Sequence, residues 1–250
     1  MKIGLIDVDG HNFPNLALMK ISAYHKKIGD NVELYRCDIF YNEEYDLVYM
    51  SKVFDNTYSK DFIGVVNAKK VIRGGYGYDN YEKPFEEYET TFPDYSIYYE
   101  KYPQFKKTAF GYLTRGCPRN CDFCMVGKYE GTKNIQVSEL SNFYNPELHN
   151  EIKLLDPNLF ANKNNLHLLQ QLADTKTTID ITQGFDIRLL TKVQCDIINN
   201  FKVKSIHFAW DNMDGITEEI LEKKRSWLNF GRRKLINQMP IEKQLDYNGG

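Results

Sequence analysis

"GYLTRGCPRNCDFCMVG", residues 111–127, brings three of the chain's five cysteines within eight positions, with Cys117, Cys121 and Cys124 in the spacing C-x3-C-x2-C. The run that leads into it, "TAFGYL", is short and apolar, which predicts a buried strand over Thr108 to Leu113 and puts the cysteines in the loop that follows. The alternation then continues. Strands are expected at Ile152 to Leu155, Thr178 to Thr182 and Ser205 to Ala209, with helices near 138–144, 164–174, 190–200 and 217–228. Four strand and helix pairs in series predict half or more of an α/β barrel, in which the loops leaving the carboxyl ends of the strands carry the chemistry.

Toward the amino terminus, "KIGLID" reads as a buried strand and "NLALMKISAYHKKIG" as a helix with Leu16, Met19 and Ala23 on one face and Gly29 as its stop. Apolar runs at "VELY", "DLVYMS" and "KKVIRGG" complete a small parallel sheet. The fold class is therefore α/β, organised as a Rossmann-like domain over residues 1–78, an aromatic-rich linker over 79–106, a partial (β/α) TIM-like barrel core over 107–215, and a helical or irregular tail over 216–250. The linker is expected to be pinned by its aromatics against the neighbouring domains.

Across 250 residues, 32 Lys and Arg face 34 Asp and Glu, a formal charge of −2. No excess positive field is available for a phosphate backbone, so nucleic acid is not the expected partner. Basic clusters at Lys223 to Arg225 and Arg232 to Lys234 read as a solvated helix face. No apolar run approaches the roughly 20 residues that cross a bilayer, and "MKIGLIDVDG" carries acids where a signal peptide would stay apolar. A cytoplasmic location is expected, where clustered thiols are more often metal ligands or redox groups than disulfides.

Zinc prefers four protein ligands, usually in two pairs, and no second pair follows this loop. Cys37 and Cys195 are isolated, and His149, His167 and His207 read as packed histidines. A four-iron cluster normally takes four thiolates, so three would leave one iron open to a substrate or cofactor.

The segment "GYLTRGCPRNCDFC" resembles the signature of the radical S-adenosylmethionine (SAM) superfamily, a C-x3-C-x-aromatic-C loop after the first strand of a partial barrel, with Phe123 as the aromatic. The resemblance covers roughly residues 105–215. It implies that Cys117, Cys121 and Cys124 hold three irons of a [4Fe-4S] cluster and that the amino and carboxylate groups of SAM chelate the fourth. Phe123 would lie near the adenine. An electron from a donor such as flavodoxin or ferredoxin would cleave SAM to a 5′-deoxyadenosyl radical that acts on a substrate the motif does not specify. Where the family often has Gly-Gly-Glu after the second strand, this chain reads "IKLLDPNLF", which makes Asp156 and Asn158 candidates for the cosubstrate amino group. Gln183, Asp186 and Arg188 follow the third strand, and Asp211 the fourth. Arg188 pairs either with the cosubstrate carboxylate or with Asp186; Asp211 serves either a ribose hydroxyl or the cap of the next helix.

The amino-terminal half resembles the cobalamin-binding-like Rossmann domain that precedes the barrel in one branch of these enzymes. Asp9 to His11 partly matches an Asp-x-His-x-x-Gly motif, with His11 as candidate cobalt ligand and Pro14 in the place of the glycine. The alternative is a tight loop entering a helix. Gly74, Gly75 and Gly77 would admit a ligand close to the backbone or serve a turn with positive φ. Residues 212–250 show no buried strand, so the barrel reads as shortened. The expected function is a radical SAM enzyme of unknown substrate. The alternatives are an iron-sulfur or zinc module without turnover, and an inactive fragment.

Overall fold

The computed structural model describes residues 1–10, 12–36, 43–55, 57–78, 86–122, 124–209, 216–228 and 235–238. His11, Phe123 and Asp211 lie outside the described residues. The chain forms two units, Met1–Lys107 and Thr108–Gly250, and its architecture is α/β with parallel sheets, a Rossmann-like unit followed by a partial TIM-like barrel.

In the first unit, β1 (Lys2–Asp7), α1 (Leu16–Lys27), β2 (Asn31–Leu34), β3 (Leu47–Ser51) and β4 (Val71–Gly74) build a parallel sheet in the order β2-β1-β3-β4. The order reverses at the β1/β3 boundary, so the crevice outside the carboxyl ends of those strands is the topological switch point. α1 starts where Asn15 caps it by accepting from the Leu18 amide, and Asn15 also donates to Ser51 at the end of β3. Ile3, Leu5, Leu18, Ile21, Val32 and Tyr49 pack between sheet and helix.

A short helix, α2 (Glu86–Glu89), and two 3-10 turns (Tyr95–Tyr98, Pro103–Phe105) follow. Residues 86–107 belong to the first unit, with Tyr88, Tyr95, Tyr98 and Tyr102 buried in it.

The second unit opens with β5 (Thr108–Gly111), β6 (Thr114–Arg115), α3 (Met125–Tyr129) and β7 (Ile135–Gln136), and continues through β8 (Glu151–Leu154), α4 (Asn165–Asp174), β9 (Thr178–Asp186), α5 (Lys192–Ile198), β10 (Lys202–Ala209), α6 (Ile216–Arg225) and β11 (Leu235–Gln238). β5, β8, β9, β10 and β11 form one parallel sheet in strict sequence order. Sequential order with right-handed crossovers sends every helix to the same face and curls the sheet as part of a barrel. Ile152, Leu154, Ile179, Ile181, Ile206 and Phe208 meet Leu168, Leu169 and Leu172 of α4 and Ile198 of α5 on that face. Each such fully buried side chain contributes about 1.5–3 kcal/mol.

Two sequence expectations need correction. The tail contributes a strand, β11, whose Leu235 to Gln238 register against Ile206 to Ala209. Its composition hid it, because "LINQ" is half polar and borders charged residues. The helix expected at 138–144 is only a 3-10 turn, Leu140–Asn142. Among the described residues no helix is long and apolar enough to cross a membrane.

Candidate functional site

The cysteine loop leaves the sheet at the carboxyl end of β5, on the rim where barrel chemistry resides. Its base is the antiparallel pair β6 and β7, with Thr114 opposite Gln136 and Arg115 opposite Ile135. Four sets of contacts fix the loop on that base.

The first is Asp156, only 1 % exposed just beyond β8. Its carboxyl accepts from the Leu113 amide (2.9 Å), the Thr114 amide and the Thr114 hydroxyl (2.7 Å). Burial pushes it up to about 7 against the opposing pull of these donors. The second is Glu130, which accepts from Arg115 Nη1 (2.8 Å) and the Gly116 amide (3.0 Å). Gly116 sits at φ +81°, and a Cβ there would come 2.2 Å from the Lys133 carbonyl oxygen. Only glycine lets the chain turn there into Cys117, whose amide donates to the Gly131 carbonyl at 3.1 Å.

The third is Asn134, whose side-chain amide donates to the carbonyls of Gly116 (2.8 Å) and Asn158 (3.0 Å), while its own oxygen accepts from Asn162 (2.8 Å). The fourth is Arg119, which lies between the first two cysteines and pairs with Asp186 at the end of β9. Arg188 Nε closes on the same carboxylate at 2.6 Å. Burial would raise the Asp186 carboxyl, but the Arg188 and Arg119 guanidiniums outweigh it and hold the group below the usual carboxylate range.

The expected site residues thus divide. Cys117, Cys121 and Cys124 are half-buried on one loop, and the Cys124 amide donates to the Cys121 carbonyl at 2.9 Å. Cys195 is buried in the core, where burial pushes its thiol up to about 11. Asp156 and Asp186 are engaged in holding the loop, and of the two readings of Arg188 the bridge to Asp186 is present. Asn158, 2 % exposed, directs its side-chain amide at the Cys117 sulfur (3.5 Å); its Oδ1 is buried without a hydrogen-bond partner among the described residues. Gln183 is exposed on β9. Among the described residues no three His, Cys, Asp or Glu side chains are gathered at metal-holding positions.

Asn134 and Arg119 went unmarked in the sequence, as did Lys153 and Asp180, paired at 2.8 Å on β8 and β9. Strand alternation puts Lys153 and Asp180 on the sheet face away from α4 and α5. Only that alternation, read against the apolar partners Ile152, Leu154, Ile179 and Ile181, carried a signal for them. His149 is packed and neutral as expected, its ring lowered to about 4 by burial.

In donor chemistry, though not in the spacing of the side chains among the described residues, the cysteine loop suits an iron-sulfur cluster. Three accessible thiols share one anchored loop, and a buried amide N–H faces the first sulfur. At the exit of β1 in the first unit, Tyr98 donates to Asp7 (2.8 Å) and Tyr102 to the Gly10 carbonyl (3.2 Å), their rings stacked 5.5 Å apart. Gly75 and Gly77 approach no open space. A Cβ on either would fall 2.1 Å from the Lys52 carbonyl oxygen or 2.2 Å from that of Phe54, so these glycines let the loop lie on the chain leaving β3.

No family model matches the chain, and no curated protein matches it in sequence. Among solved structures the fold is shared with radical SAM proteins. Two structures of the radical S-adenosylmethionine methyltransferase TsrM from Kitasatospora setae match over 95 % of this chain with a TM-score of 0.60. One, with tryptophan substrate and the SAM analog aza-SAM bound, is 11 % identical; the other, with cobalamin and a [4Fe-4S] cluster bound, is 12 % identical. The match spans 63 % and 64 % of those chains. At this identity the likeness is one of fold.

Proposed function

We propose that this chain is a radical SAM protein whose Cys117, Cys121 and Cys124 carry a [4Fe-4S] cluster with one iron left open for SAM. The observation that carries the reading is the anchored loop of three half-buried thiols after the first strand of a sequential parallel sheet. The shared fold of the TsrM structures, one with a cluster and one with a SAM analog bound, supports it. The bound cluster would supply the electron that cleaves the SAM sulfonium.

The chain's own residues do the positioning. Asp156, Glu130 and Asn134 hold the two ends of the loop, and the Arg119 and Asp186 pair holds its middle. Asn158 Oδ1, a buried acceptor at the exit of β8, is the candidate partner for the cosubstrate ammonium, which would satisfy an oxygen that has no donor among the described residues. Gln183 is the candidate at the exit of β9. Phe123 keeps its role toward the adenine, and Asp211 toward the ribose, as proposals from the motif alone. An electron donor such as flavodoxin or ferredoxin would complete the system.

The test is anaerobic reconstitution with iron and sulfide, reduction in the presence of SAM, and chromatography. Release of 5′-deoxyadenosine that depends on each of the three cysteines supports the reading. A loaded cluster that releases none contradicts turnover and leaves a binding module.

A further inference from the structure

We propose that Asn158 is a tuning residue for the cysteine loop: its side-chain N–H donates to the Cys117 sulfur and raises the reduction potential of the cluster carried there. The inference rests on the cluster reading above and assigns to one amide a role that the cysteine motif does not contain.

The geometry is built from both sides of the contact. The Asn158 side chain is 2 % exposed, with Nδ2 3.5 Å from Cys117 Sγ. The two backbones that carry donor and acceptor are clamped by a single group. Asn134 Nδ2 bonds the Asn158 carbonyl at 3.0 Å and the carbonyl of Gly116, the residue before Cys117, at 2.8 Å. Asn134 is oriented in turn by Asn162 Nδ2 at 2.8 Å, and the Asn162 carbonyl accepts from Asn165 Nδ2 at 2.6 Å, at the start of α4. A chain of amides therefore runs from the first turn of α4 to the first thiol.

The chemistry selects an amide at this position. A metal-bound thiolate only accepts hydrogen bonds, so Asn158 must turn its NH2 toward the sulfur and its oxygen away. An aspartate would set a second negative charge against the thiolate. A buried N–H donor withdraws electron density from the sulfur, and it stabilises the reduced cluster more than the oxidised one because the reduced cluster carries more negative charge. Low local dielectric strengthens the effect.

The test is a redox titration of the anaerobically reconstituted full chain, followed by the electron paramagnetic resonance (EPR) signal of the reduced cluster. Asn158→Ala should shift the midpoint to more negative potential, and the near-isosteric Asn158→Asp should shift it further. Thr114→Val, which removes a hydroxyl bond to Asp156 and a 3.4 Å bond from Asn134 but leaves the Asn158 amide in place, should shift the midpoint less than either Asn158 variant even where cluster content falls. Loaded Asn158 variants that titrate with the wild type overturn the role of Asn158 alone. A wild-type chain that takes up no iron and sulfide overturns the cluster reading, and this inference with it.

Discussion

Arg119, two residues after the first cysteine, pairs with Asp186, the last residue of β9. The contact ties the middle of the cysteine loop to a strand two places across the sheet from the strand that launches it. Asp186 is shared with Arg188, so the carboxylate is held by two guanidiniums.

Loss of this tie should loosen the loop without unfolding the unit. Arg119→Ala is expected to lower iron content after reconstitution while changing thermal stability little, since Arg119 is partly exposed. Asp186→Ala should cost more in both respects, because it removes the Arg188 bridge as well. Iron analysis beside a melting curve separates the two variants.

Gly116 offers a sharper backbone test. Gly116→Ala places a Cβ at φ +81° and 2.2 Å from a carbonyl oxygen. The conformation alone costs about 1–2 kcal/mol, and the clash adds to it. Cluster loading should fall well below that of Gly131→Ala, where φ is +94° but no atom stands within 4 Å of the added carbon.

Asp156 and His149 predict opposing pH dependences. The Asp156 carboxyl rises from 3.8 to about 7 on folding through burial, so its protonated form stabilises the fold at low pH and that contribution is lost as pH rises through about 7. The His149 ring falls from 6.5 to about 4, also through burial, so its contribution is present above 6.5 and lost as pH falls toward 4. The two slopes oppose one another between pH 4 and 6.5. Asp156→Asn should expose the histidine slope, with stability then rising across that window. It should also lower stability by about 1–3 kcal/mol, because both Asp156 oxygens accept N–H groups and either amide orientation leaves an NH2 facing a donor. Urea titrations at several pH values read both effects.

Much of this arrangement was legible in the sequence for physical reasons. The strands of the second unit are apolar runs whose core partners alternate, as Ile152 with Leu154 and Ile179 with Ile181 do, and the cysteine spacing marked the loop. β11 escaped because a short, half-polar strand has no periodicity to display, and its pairing with β10 is a tertiary fact. The hydrogen bonds of Tyr98 and Tyr102 back to β1 and its exit escaped for the same reason. Their segment consists of short 3-10 turns with no sustained period, so nothing local revealed that the hydroxyls reach Asp7 and Gly10, about 90 residues back in the chain. Asp156 and Asp186 were placed at the strand exits correctly, but whether a carboxylate there faces a ligand or a neighbouring loop depends on contacts from the loop itself.

The central claim is tested most directly by reconstituting the full chain anaerobically, counting iron and sulfide, and recording the EPR spectrum of the reduced protein before and after addition of SAM. About four irons and four sulfides per chain are expected, lost in the Cys117, Cys121 and Cys124 variants, with a spectrum that changes when SAM binds the open iron. Zinc in place of iron, or a cluster whose spectrum SAM leaves unchanged, would contradict it.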